Sequence, residues 1–195
     1  MSNRRTQILD TALALAFDGG PNAVTTVAIA QCLGLTQPAI YRHFRSKADL
    51  WRAITDRLGG EIAANIDAAT TLEAPAIDRL RALVLGHLAL VSRTPALPEI
   101  MVARDSDDEK AAMRAAMREH ILAFQAALVQ LCAEAQSEDA LRGNISPNDL
   151  ATLLMGVLQS LVLRLLLNRD PTKLLDEGER LLSLQISAFA RESEA

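Results

Sequence analysis

With 195 residues, half of them hydrophobic but only 3% aromatic, the chain can bury a sizeable core, and that core must be built from Leu, Ala, Val and Ile. Its net charge of −4 hides an asymmetry: residues 1–52 carry six basic groups against three acids, a balance of +3, which leaves −7 for the remainder. A basic head on an acidic body suits a protein whose head meets phosphate, so the acidic total does not exclude a nucleic-acid partner.

Long Ala/Leu-rich segments with charged faces predict an all-α fold of about nine helices. The first runs from about Asn3 to Asp18, with Leu9, Leu13, Ala16 and Phe17 inward, and stops at Gly19-Gly20-Pro21. Arg4 and Arg5 at its start either reach a DNA backbone or belong to a solvated tail. Thr25 or Thr26 caps a second helix with apolar positions Val27, Ile29, Ala30 and Leu33, and Gly34 supplies a left-handed corner. Thr36 caps a third, Gln37 to Phe44, in which Pro38 sits where a missing N–H costs nothing. Ile40 and Phe44 face inward there, and Gln37, Ala39, Tyr41, Arg42 and His43 face outward. Ser46-Lys47-Ala48-Asp49 is a capping box opening a fourth helix, with Leu50, Ile54, Leu58, Ile62 and Ile66 at a spacing of four. At Gly59-Gly60 that helix either bends or ends and restarts.

Pro75 opens a fifth helix striped by Ile77, Leu80, Val84, His87, Leu88 and Val91, which Thr94-Pro95 stops. A short sixth lies around Pro98 to Arg104. Ser106, followed by three acids, caps a seventh that reaches about Gln136, with a seam of Met117, Ile121, Phe124, Leu128, Leu131 and Ala135. Ser146-Pro147-Asn148-Asp149 opens an eighth, to about Asn168, and Asp170-Pro171 a ninth, striped by Leu174, Gly178, Leu181, Leu182, Gln185 and Phe189.

Cys32 and Cys132 lie inside helical patterns and are expected to be buried thiols. No secretory signal opens the sequence, and Leu153 to Leu167, interrupted by Gln159, Ser160 and Arg164, reads as too short and too polar to span a bilayer. A cytoplasmic protein without membrane contact is expected. No phosphate-cradling Gly loop, nucleophile elbow or metal-spaced His/Cys cluster is present, so neither an enzyme, a metal site nor a cofactor is expected.

Two short helices around a tight turn, the second with a hydrogen-bonding outer face and basic flanks, have the chemistry to enter a major groove. Gln37 can pair with an adenine edge, Pro38 and Ala39 offer apolar contact to a thymine methyl, and Arg42 and Arg45 can meet phosphate. The run Leu33-Gly34-Leu35-Thr36-x-Pro38-Ala39-x-Tyr41-Arg42-His43-Phe44-x-Ser46-Lys47-x-x-Leu50 closely resembles the DNA-binding segment of the TetR/AcrR family of bacterial transcriptional regulators, over roughly residues 5 to 52. The resemblance implies phosphate or base-edge contacts from Tyr41, His43 and Lys47, and backbone anchoring by Thr25 and Thr36. It divides the chain into a three-helix helix-turn-helix DNA-binding domain, 1–52, and a helical regulatory and dimerisation domain, 53–195.

The eighth helix is apolar nearly all round. Leu150, Leu154, Leu158, Leu161 and Leu165 cover one side, and Gly156, Ser160, Leu163 and Leu167 a second, which needs either its own monomer or an identical chain to cover it. The family dimerises through its last two helices, which favours a homodimer and extends that face to Leu181 and Gln185. The family also holds a small effector among the helices of its regulatory domain. Here Met101, Met113, Met117, Phe124 and Met155 would line an adaptable pocket for an apolar or amphipathic effector, with His87, Arg93 or Arg104 as polar handles. The expectation is a ligand-responsive repressor that binds a near-palindromic double-stranded operator as a dimer. The alternative is a DNA-bound factor whose second domain docks a protein partner.

Overall fold

The computed structural model describes residues 4–102 and 108–191, without the side chains of 101, 102, 108–114 and 116. Among the described residues the regular structure is helical, as expected: α1 (Arg4–Gly19), a 3-10 turn (Pro21–Ala23), α2 (Thr26–Leu33), α3 (Gln37–Tyr41), α4 (Lys47–Thr70), α5 (Ala76–Arg93), α6 (Ala96–Val102), α7 (Asp108–Ser137), α8 (Pro147–Asn168) and α9 (Leu174–Phe189). An isolated antiparallel bridge joins Leu141 to Ala190.

These helices form two compact units. The first takes the described residues up to Gly60 and those of 94–119; the second takes 61–93 and 120 onward. In the first, α1 packs on α2 and α6, and α2 on α3. Ile8, Ala12, Ile29, Ile40, Leu50, Ile54 and Leu58 are fully buried there. Each large aliphatic side chain so buried contributes about 1.5–3 kcal/mol. Arg57 reaches Asp10 across 2.5 Å, but on the surface, where such pairs add little.

In the second unit α5, α8 and α9 pack on one another. Close approach in this unit depends on glycine at two places, between α5 and α9 and between α5 and the end of α4. A Cβ at Gly178 would lie 2.2 Å from Cδ1 of Leu88, and one at Gly86 would lie 1.9 Å from Oδ1 of Asn65, whose Nδ2 donates to the Leu83 carbonyl at 3.0 Å. The start of α5 is capped from a distance: Glu138 Oε2 accepts from the Ala76 N–H at 2.7 Å, placing a carboxylate at the positive end of the helix dipole. Arg79 binds Glu134 at 2.8 Å beside it.

Several expectations need correction. The helix Gln37 to Phe44 is shorter, because the N–H groups of His43 and Phe44 both turn back to the Ile40 carbonyl and carry Phe44 into the core. The ninth helix begins late, at Leu174, since Asp170 accepts from both the backbone and the hydroxyl of Thr172 and holds the chain in a turn. The sixth begins early, at Ala96, and the cap at Ser106 lies outside the described residues. Cys32 is exposed rather than buried, while Cys132 is buried and its thiol is pushed up to about 12 by desolvation. Gly59-Gly60 does not end α4, which is continuous from Lys47 to Thr70. Finally, α8 at 22 residues is long and apolar enough to cross a membrane by length and composition alone, contrary to the estimate from its central run. It nevertheless buries Leu150, Leu154, Leu158, Leu161 and Leu165 within its unit.

Candidate nucleic-acid interface

The interface is built from α2, α3 and the turn into α4. Thr25 stands extended at the head of α2, and its hydroxyl accepts from the Ala28 N–H at 3.0 Å. The helix closes at Gly34, whose φ of 63° is the left-handed conformation that a side chain disfavours. The Gly34 N–H reaches the Gln31 carbonyl and the Leu35 N–H the Ala30 carbonyl, a paired closure that fixes the corner between the helices. Thr36 then takes up N-cap geometry, but its side chain makes no cap bond. Among the described residues its hydroxyl therefore does not cap α3, and Thr36 stands exposed. Ser46 caps α4 by accepting from the Asp49 N–H at 3.1 Å.

Five residues make up α3, and Gln37, Pro38 and Tyr41 stand exposed on it, followed by exposed Arg42, His43 and Arg45. Lys47, half-buried, is the first residue of α4. No Asp or Glu occurs between Asp18 and Asp49, so the segment that carries α2 and α3 brings only basic charge to this surface. Ala39 is the exception among the expected contacts. At 8% exposure it faces the core, and it offers no methyl to a base.

Two residues were missed from sequence. Thr26, the first residue of α2 and nearly buried, accepts a hydrogen bond of 2.8 Å from Nε2 of Gln37. The Thr25-Thr26 pair signalled a cap but not which threonine would cap and which would hold the next helix. Val27, counted among the packing positions, is 47% exposed beside the exposed Thr25.

Of the residues proposed for an effector, His87 and Phe124 are brought together, their rings 4.5 Å apart. Burial drives the His87 imidazole down to about 4, and its Nδ1 is buried without a hydrogen-bond partner among the described residues. Met155 is half-buried on α8, and Met117 is buried in the first unit. Arg104 and the side chains of Met101 and Met113 lie outside the described residues. A cleft of about 640 Å³ opens elsewhere in the second unit, lined by Gln136, Asp139, Arg142 and Arg191 among others.

The outward side of α8 carries Gly156 and Ser160, with Leu153, Leu163 at 56% and Leu167 at 74% exposure. On α9, Leu184 is exposed, whereas Leu181 and Gln185 are half-buried and the Gln185 Oε1 has no partner among the described residues.

Residues 8–54 match the family profile of bacterial regulatory proteins, tetR family, and residues 76–176 that of the tetracyclin repressor-like C-terminal domain. Among curated relatives, the nucleoid occlusion factor SlmA of Vibrio vulnificus is 27% identical over 190 residues, covering 95% of this chain and 96% of that one. SlmA of Vibrio cholerae is 27% identical over 188 residues, 94% and 96% of the two chains. Among solved structures, the ketosteroid transcriptional regulator KstR2 of Mycobacterium tuberculosis superposes with a TM-score of 0.80 at 16% identity, over 98% and 97% of the chains. The regulator FadR of Bacillus subtilis, solved with stearoyl-CoA, gives 0.70 at 19% identity over 94% and 98%. At such identities these two structures speak for the fold alone.

Proposed function

Because the chain belongs to the tetR family of bacterial regulatory proteins, whose members bind DNA, we propose that it is a transcriptional repressor acting in the cytoplasm as a homodimer on a near-palindromic operator. The observation that carries the reading is the acid-free segment that forms α3, with Gln37, Tyr41, Arg42 and His43 exposed and Lys47 following them. Two such heads, related by a two-fold axis, would contact half-sites about 34 Å apart or a multiple of it. The second unit supplies the rest: an apolar face on α8 for the partner copy, and the His87–Phe124 pair for a small effector that releases the operator. A buried imidazole nitrogen without a partner is costly unless something hydrogen-bonds it, which is the argument for a ligand there. The family is one of regulators, and a catalytic role is not part of this reading.

Genomic footprinting with the purified protein tests it. The expected result is protection of discrete sites with internal two-fold symmetry, upstream of genes. Uniform coating of DNA without preferred sites overturns it.

A second reading rests on the curated relatives, which are named as nucleoid occlusion factors rather than as effector-controlled repressors. Under it the chain is a DNA-bound factor whose second unit docks a protein partner. Footprints scattered around the chromosome without regard to promoters, and unmoved by small-molecule extracts, favour this reading over the first.

A further inference from the structure

A helix of five residues has too few hydrogen bonds to fix its own orientation, so α3 must be held by its neighbours. Its first residue is held by the bond from Gln37 to Thr26 of α2. Its far end is met from α1. There the Arg5 guanidinium donates to the carbonyl of His43 at 3.2 Å, and its central carbon lies 4.5 Å from the centroid of the Phe44 ring. Phe44 is almost completely buried, so the ring that Arg5 covers is anchored in the core of the first unit.

We infer that Arg5 is a positioning residue for DNA recognition: it clamps the turn that ends α3 and thereby sets the angle at which Tyr41, Arg42 and His43 are presented. The inference rests on the reading that α3 contacts DNA, and it assigns Arg5 a role other than the phosphate contact that a basic residue at the head of α1 first suggests. The geometry needs arginine. A planar guanidinium can lie over a ring and direct an N–H to a carbonyl at the same time, whereas a lysine ammonium keeps the charge and loses the fork. A phosphate contact, in contrast, is served by either residue, because counterion release depends on charge.

The test uses the full chain as wild type, Arg5→Lys and Arg5→Ala. The probes are a duplex selected by the wild type from a random pool and a non-selected duplex of the same length, each titrated over a range of salt. A clamp predicts that both variants lose about tenfold in affinity for the selected duplex, because the loosened turn must then be ordered on binding. It also predicts little change on the other duplex and an unchanged salt slope. Thermal melting of each variant checks that the head still folds, and amide exchange at His43 and Phe44, faster in both variants, reports the loosened turn directly. The inference is overturned if Arg5→Lys matches the wild type while Arg5→Ala weakens both duplexes alike and lowers the slope by about 0.9, the mark of one lost phosphate. Wild-type affinity in both variants also overturns it. If the wild type selects no sequence at all, it is the proposed function that fails.

Discussion

Gln37 and Thr26, the first residues of α3 and α2, are joined by a 2.8 Å hydrogen bond in which the Gln37 amide donates. One N–H of the amide is therefore used inside the protein, which fixes the orientation of the group; under the proposed function its second N–H and its carbonyl oxygen are left for a base edge. Bidentate pairing with adenine uses the oxygen and one N–H, so it is compatible with this bond, which holds the amide in place for it.

The consequence can be measured. Gln37→Ala should relax the preference at one base pair, by the roughly 1–3 kcal/mol typical of a good base contact. Thr26→Val, which removes the hydroxyl and keeps the shape, should alter the preference at that same base pair and no other. Competition binding against all four base pairs at each operator position decides it. Changes at different positions for the two variants would mean that Thr26 does not set the amide.

Three glycines should respond in different ways to the same substitution. Nothing lies within 4 Å of a Cβ at Gly60, and the helix around it is continuous, so Gly60→Ala should stabilise the protein. The expected gain is about 1 kcal/mol, from propensity alone. Gly178→Ala would drive a methyl against the buried Leu88 and should cost about 1–3 kcal/mol. Gly86→Ala would displace the Asn65 side chain and break its bond to the Leu83 carbonyl. Urea midpoints rank the three, and a Gly178→Ala variant as stable as wild type would show that α5 and α9 can part without cost.

Leu163→Glu tests the partner face of α8. The side chain is already 56% exposed in the single chain, so the substitution should leave the fold of one protomer intact and prevent a second from covering it. Sedimentation should show a monomer that no longer retains the operator at wild-type concentrations. A well-folded dimer moves the interface away from Leu163.

His87 should make stability fall in mild acid. Its folded-state value of about 4 lies below the ordinary 6.5, so the unfolded chain binds the proton first as pH drops. Stability from this group is fully present above pH 6.5 and is lost progressively between there and pH 4, by about 3 kcal/mol in all. The denaturation midpoint should fall further between pH 7.5 and 4.5 for wild type than for His87→Gln. Equal pH dependence would mean that the ring is already protonated or solvated at neutral pH.

The helices were legible because their signals are local. Ser146 before Pro147 and Asp149, Thr25 before α2, and Gly34 at its end each act within a few residues, and the structure shows the predicted bonds or backbone angles at all three. The buried leucines of α8 followed from their spacing in the same way. What could not be read were arrangements decided between elements. Ala39 is small enough for either side of a helix, and only the packing of α2 against α3 turns it inward. Val27 is apolar and on helical spacing, yet its side of α2 is left uncovered. Arg5 looked like a free cation at a chain end; its ring and carbonyl lie 38 residues or more away in sequence. The length of α3 was overestimated because Phe44 continues the apolar pattern after the helix has closed.

The brevity of α3 also bears on how the protein fails. Isolated helices shorter than about 12–15 residues are marginal in water, and one of five residues has no population of its own to draw on. Its form is borrowed from α1 and α2, so it vanishes when either of them frays. Under heat, denaturant or a damaging substitution in the head, base reading should be lost together with the first opening of that unit. Non-specific attraction to DNA, which needs only the positive charges, would outlast it. A partly denatured sample should therefore still coat DNA while choosing no site, a state in which affinity measured on one duplex would mislead about function.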